Sequence, residues 1–189
     1  MMHPISTSGG TTTASMICTG IKADARWLLH AMREYQARTW ERYDTAATPK
    51  RVALAVAQVL LDFMGYARNQ EFLDGVGPVL AERSWARPLG VQTLVVAHQA
   101  PLTLLDPSGV MEEYSAHAMG RDSQVCLDEL ELLYTPNMTT EELQELLVDI
   151  VQRRVIFENP NMYEKAELWI ETLTERGVER STRMATTKK

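Results

Sequence analysis

Apolar side chains recur at three- and four-residue steps along most of this chain, and that spacing predicts helices. Over 21–44 the stripe is Ala25, Leu28, Leu29, Met32, Tyr35, Gln36, Trp40 and Tyr43, with Arg26, Arg33, Arg38 and Arg42 mostly on other faces. Thr48-Pro49 then gives a start signal. The Thr hydroxyl can accept from a free amide, and Pro lacks only an N–H that the first turn leaves unused. The helix it opens is apolar almost all round from Val52 to Met64, which marks an element enclosed by neighbours.

Prolines and glycines punctuate 75–107, so helix and strand compete there. Pro78 to Trp85 reads as a short helix. Val91 to Ala97 carries enough β-branched residues for a strand, with Leu102 to Leu105 as its partner, giving a possible minor β hairpin near 91–105. A helix over 89–99 is preferred, because no third strand is evident and an isolated hairpin is marginal.

Asp106-Pro107 repeats the cap-plus-proline signal and predicts a helical segment with Val110, Met111, Tyr114, Ala118 and Met119. Ser123 to Tyr134 follows, with Val125, Cys126, Leu130 and Leu133 as its stripe. Met138-Thr139-Thr140-Glu141-Glu142-Leu143 carries a capping box between Thr139 and Glu142, and Met138 and Leu143 stand where a hydrophobic staple would. That helix runs through Leu143, Leu146, Leu147, Ile150, Val151 and Val155 to about Phe157. A turn at Asn159-Pro160-Asn161, with a second capping box between Asn161 and Glu164, leads into a last helix that buries Ala166, Trp169, Ile170 and Leu173 and stops at Gly177.

The sum predicts an all-α protein: a compact multi-helix bundle with an enclosed central helix and a C-terminal helical hairpin. One helical domain covers 21–177. Residues 1–20, rich in Ser, Thr and Gly, read as a flexible tail, and 178–189 as a flexible basic tail.

Composition is that of an ordinary globular protein, with 45% hydrophobic and 23% charged residues in 189. The longest apolar stretch is broken by Gln58 and Asp62 and is shorter than the ~20 residues of a bilayer span. With no secretory leader in the first residues and two unpaired cysteines, Cys18 and Cys126, a cytoplasmic protein is expected. Charge is uneven: residues 128–179 hold 13 acidic and 4 basic groups, while 180–189 hold 4 basic and none acidic. An acidic body of that kind opposes phosphate backbones.

Candidate chemistry is sparse. Glu113 and His117 stand four apart and would share a helix face as two metal ligands, with a surface pair as the duller alternative. His98 and His30 could each act as a general base or simply edge a core. Asp62, set in the enclosed helix, would pair with Arg83 or Arg87 or else lie on its one exposed edge. Gly75-Val76-Gly77-Pro78 lacks the Lys and Ser/Thr of a phosphate loop and reads as a turn. No serine sits in a nucleophile elbow. Trp27 falls off the stripe of the first helix and is the expected exposed anchor, flanked by Arg33 and Arg38.

The function expected is therefore non-catalytic: a protein-protein interaction or assembly protein, acting as adaptor, regulator or structural subunit through self-association or a protein partner, without metal or cofactor. One alternative is a small enzyme or ligand-binding or metal-binding domain whose site gathers Asp62, His98, Glu113 and His117 from dispersed positions. Another is nucleic-acid binding through the first helix and the basic tail, which the net charge of -6 disfavours.

Overall fold

In the computed structural model, which describes residues 3–8, 11–65, 87–98, 100–158, 165–174 and 177–186, sheet and helix share the chain. The all-helical bundle is overturned by two sheets. Five strands run in the order β1 (His3–Ser8), β2 (Thr11–Gly20), β3 (Val91–Val96), β4 (Leu102–Leu105) and β5 (Met111–Tyr114), each antiparallel to the next. Two more, β6 (Lys165–Thr174) and β7 (Gly177–Thr186), make a separate two-stranded sheet. Contacts divide the chain into two compact units, residues 1–114 with 173–178 and residues 115–172 with 179–189.

In the first unit, α1 (Lys22–Tyr43) and α2 (Pro49–Phe63) contact the sheet and each other. The start signal at Thr48 works as read: Arg51 N donates to Thr48 Oγ1 at 3.4 Å and Pro49 opens the helix. Because side chains alternate across a strand, one face of the sheet carries Met16 opposite Val95 and Cys18 opposite Thr93. These meet Leu28, Met32 and Tyr35 of α1 and Val52, Val56, Val59 and Leu60 of α2 in one core. Each large side chain enclosed there contributes about 1.5–3 kcal/mol relative to exposure. Cross-strand partners Leu94 and Leu104 are buried on the opposite face.

The segment read as a helix over 89–99 is strand because it has the neighbour that the sequence hid. β2 pairs with β3 from Ser15 opposite Val96 to Gly20 opposite Val91, so the hairpin β3–β4 is internal rather than isolated. β2 itself comes from the Ser/Thr-rich stretch read as a tail. Threonine suits a pleated strand, and its backbone groups bond on both sides here. β1 lies at the edge, where Pro4 can sit without costing a ladder bond, and a register shift follows it.

Asp106-Pro107 also caps, but it caps a turn. Asp106 Oδ1 accepts from Ser108 N at 2.8 Å, Ser108 Oγ at 2.6 Å and Val110 N at 3.1 Å, and Gly109 adopts φ +82°. The chain thus reverses from β4 into β5, and the helix expected from Val110 onward is absent from this stretch.

A buried carboxylate fixes the entry to α1. Asp24, 5% exposed, accepts from Arg87 Nη1 and Nη2 at 2.7 Å each and from the Gly90 amide at 2.9 Å. Ile21 N donates to Gly90 O at 2.8 Å beside it. Gly20, at φ +121°, has no room for a side chain, since a Cβ would stand 2.2 Å from Gly90 O. Arg87, and more weakly the Gly90 amide, hold the Asp24 carboxyl below the usual carboxylate range against the upward push of burial.

In the second unit, α3 (Ser123–Leu133) and α4 (Thr140–Ile150) bury Cys126, Leu130 and Ile150 together with Leu146 and Val155. The capping box is present in both directions: Thr139 Oγ1 accepts from Glu142 N at 3.3 Å, and Glu142 Oε2 accepts from Thr139 N at 2.8 Å. A π-helical turn, Val151–Ile156, carries α4 onward. Arg154 and Arg153 on this turn both reach Glu129 of α3, with Arg154 Nε at 2.8 Å and Arg153 Nη2 at 3.3 Å. The Arg154 guanidinium is the main reason that the Glu129 carboxyl titrates low.

The C-terminal helical hairpin is a further correction. Lys165–Thr174 is strand, and along it Leu168 and Ile170 are half-buried while Glu167 and Trp169 are exposed. The tail over 178–189 includes most of β7. The turn expected at Asn159-Pro160-Asn161, the second capping box expected at Asn161 and Glu164, and the short helix expected over 78–85 fall outside the described residues.

Two outcomes are expected. Thr139→Ala removes one arm of the capping box and should destabilise by about 1 kcal/mol, read as a lower urea midpoint with an unchanged slope. Asp24→Asn should lower the midpoint at neutral pH. An acid whose folded pKa is depressed stabilises above its unfolded value near ~3.9 and loses that contribution as pH falls through the folded pKa. The gap between variant and wild type should therefore close below about pH 4.

Candidate functional site

The surface of α1 differs from the one read in the sequence. Trp27 is half-buried and meets the Phe63 ring edge to face, with centroids 4.6 Å apart, so it packs on the core of the first unit. Arg33 is exposed, and Arg38 lies half-exposed with Nη2 3.8 Å from Glu34. Trp40 and Tyr43, expected inside, are 41% and 45% exposed. Arg51 from α2 stands over the Tyr43 ring at 5.9 Å. The aromatic character of this helix surface is thus real but shifted from Trp27 to Trp40 and Tyr43.

The dispersed titratable residues sit in separate surroundings. Asp62 in α2 is half-buried and accepts from Gln58 Nε2 at 2.7 Å. Burial pushes its carboxyl up, and the Gln58 bond opposes that in part. Arg87, one partner expected for it, is engaged by Asp24, and Arg83 lies outside the described residues. His98 is exposed in the turn after β3. Glu113 is exposed in strand β5 and His117 follows that strand, so the pair does not share a helix face as metal ligands would need. His30 is exposed with Nε2 3.2 Å from Glu34. Among the described residues, no group of three or more His, Cys, Asp or Glu side chains is placed to hold a metal ion.

Nucleophile chemistry finds little purchase in the described residues either. Burial raises both thiols: Cys18, whose Sγ lies 3.6 Å from Thr93 Oγ1 on the neighbouring strand, and Cys126, where Asp122 and Glu129 add to the rise. A thiol so shifted stays protonated at neutral pH. Ser108 is used in the Asp106 turn. The Gly75–Pro78 segment lies outside the described residues.

What the structure does present is surface suited to association. Leu132 on α3 is 80% exposed, with Val125, Leu133 and, on α4, Leu147 also open to solvent. Acidic side chains surround them, including Asp128, Glu131, Glu141 and Glu145. In the two-stranded sheet, Trp169 is 48% exposed beneath Arg180, whose guanidinium stands 5.0 Å from the ring and donates to Glu171 at 2.7 Å. Leu132 was readable in principle. Leu130 and Leu133 share a helix face, and Leu132 stands about 160° round from Leu130, so a one-sided core that takes Leu130 leaves Leu132 out.

Residues 11–162 match the family described as proteasome subunit. The archaeal proteasome subunit alpha of Methanococcus maripaludis is 30% identical over 131 residues, covering 68% of this chain and 44% of that protein. Proteasome subunit alpha type-5 of Drosophila melanogaster is 26% identical over 138 residues, 71% of this chain and 52% of the relative. That of Trypanosoma brucei brucei is 29% identical over 141 residues, 72% and 52%. The chain thus spans about half the length of the curated relatives it matches. The matched stretch runs from β2 across α1, α2 and the inner strands to α3 and α4. An α/β arrangement accounts for the sheet that the helical reading lacked, and the chain belongs to the proteasome subunit family.

Proposed function

We propose that this chain is a non-catalytic, alpha-type subunit that acts by assembling with other subunits of a proteasome-like complex. One observation carries the reading: the family match extends over the whole run from β2 to α4, and the relatives cited are all named as alpha subunits. The open apolar and aromatic surfaces at Leu132, Trp40 and Tyr43 support it, since large apolar side chains left in water are suited to cover by another chain. A cytoplasmic place of action goes with this proposal, and among the described residues no helix is long and apolar enough to cross a membrane.

The two other readings find no support. Asp62 is taken up by Gln58 on its own helix, His98 is exposed in a turn, and Glu113 lies exposed on strand β5. Nucleic-acid binding through α1 and the C-terminal segment would set a net charge of -6 against phosphate.

Size-exclusion chromatography with light scattering is the direct test. The purified chain should elute as a multiple of its 21.3 kDa mass, or form a stable complex when co-expressed with a second proteasome-family subunit. A monomer under both conditions overturns the proposal.

A further inference from the structure

The π-helical turn that follows α4 departs from the apolar pattern of its own sequence. Leu143, Ile150 and Phe157 stand at seven-residue steps, and each such step returns an α-helix to within about 20° of the same direction. An α-helix carried straight on from Ile150 would set Phe157 about 20° and Arg154 about 40° from it, and Val155 about 140° away. The structure does the reverse. Val155 packs on the cluster of Cys126, Leu130 and Ile150, whereas Phe157 is 47% exposed.

A change of hydrogen-bond step is the cause. Val151 N still donates to Leu147 O, four residues back, but Phe157 N donates to Gln152 O, five residues back, at 2.9 Å. A turn of that step brings the fifth residue over the first, so Val155 takes the place beside Ile150 that Arg154 would otherwise hold. Ile156, 2% exposed, is enclosed in the same register. π-helix is rare in proteins, so a turn of this kind needs something to hold it.

Arg154 supplies the hold. In the α register its guanidinium would be turned toward the apolar cluster, while in the π register it meets Glu129 of α3, with Nε at 2.8 Å and Nη2 on the same oxygen. Its Nη1 also donates to Glu158 at 3.1 Å. Arg153, bound to Asp149 at 2.8 Å, adds a second contact to Glu129 at 3.3 Å. The Glu129 carboxylate that gathers both is 8% exposed, and a charge so enclosed is costly to leave unpaired.

We infer that residues 151–157 form a two-register latch: the Arg154–Glu129 pair holds the π register, which encloses Val155 and turns Phe157 to solvent. With the pair removed, the segment relaxes to an α register that encloses Phe157 and turns Val155 out. The latch thus decides which apolar side chain this end of α4 shows to water. Any group that covers Phe157 favours the first state, and any group that competes for Arg154 favours the second. The latch lies within one chain and does not depend on what that chain assembles with.

Paired substitutions in the full chain test it. In the wild-type background Val155→Ala should lower the urea midpoint more than Phe157→Ala, because Val155 is the enclosed side chain. In a Glu129→Gln/Arg154→Leu background, which leaves no carboxylate unpaired at position 129 and continues the apolar stripe, that order should invert. A crystal structure of the same background should show the Phe157 amide bonded to Arg153 O in place of Gln152 O. Val155→Ala remaining the costlier change in both backgrounds overturns the inference, and so does a Phe157 amide that stays on Gln152 O. Should the double variant not fold, Glu129→Gln alone decides: the gap between the two costs should narrow there, and an unchanged gap overturns the latch.

Discussion

The Asp24 carboxylate is the constraint on which the first unit turns. An ionised acid is costly to remove from water unless it is paired and hydrogen-bonded, and here it is both, through two guanidinium nitrogens and one backbone amide. The three bonds tie the first turn of α1 to the backbone just before β3, two places 63 to 66 residues apart in sequence. The tie sets where β2 ends and α1 begins, and it brings Gly90 O within 2.2 Å of where a Cβ on Gly20 would stand, while a Cβ on Gly90 would meet the Ile21 side chain at 2.6 Å. Register between β2 and β3 follows from that contact, since Gly20 and Val91 are the last pair of the ladder. With the register set, Met16, Cys18, Thr93 and Val95 fall on the side that α1 and α2 cover.

The second unit is organised by a different balance. A small apolar cluster of Cys126, Leu130 and Ile150 is joined by an ion network in which one carboxylate, Glu129, receives two consecutive arginines. Neighbouring residues on a regular α-helix diverge too far to meet one partner easily. The π-helical turn at Val151–Ile156 carries both of these arginines. What remains outside that cluster is acidic and partly apolar. On α1 of the first unit, Arg26, Arg33, Trp40 and Tyr43 are likewise open to solvent.

The assembly role proposed above rested, in the string of residues, on composition and on the lack of catalytic spacing, and nothing there pointed to the proteasome subunit family. The anchor was not legible. Trp27 left the helical stripe and so looked exposed, but a residue off the stripe of an isolated helix can still meet a second helix, and Phe63 supplies that contact. Trp40 and Tyr43 lay on the stripe and so looked buried. The stripe states a direction, and whether anything stands in that direction depends on where the neighbouring elements end.

Local chemistry settled what needs only near neighbours. The Thr139–Glu142 box, the Thr48-Pro49 start, the α1 and α2 spans and the core positions Leu28, Met32, Tyr35, Val56 and Leu60 were all readable, because capping and helical period act over three or four residues. Strand identity was readable only as the less favoured alternative: Val91 to Ala97 and Leu102 to Leu105 carried the pattern of a hairpin and form β3 and β4, while a helix over 89–99 was preferred. A strand earns its hydrogen bonds from partners far along the chain: β3 needed β2, and β2 was concealed in a Ser/Thr-rich segment whose large apolar residues are Met16 and Ile17 alone. Asp106 shows the same division, since its side chain was certain to bind free amides, while a turn or a helix was decided by the pairing of β4 with β5. The sequence determined which groups had to be satisfied and which side chains preferred burial; the tertiary structure alone decided with what, because contacts between distant segments have no signature in the spacing of either one.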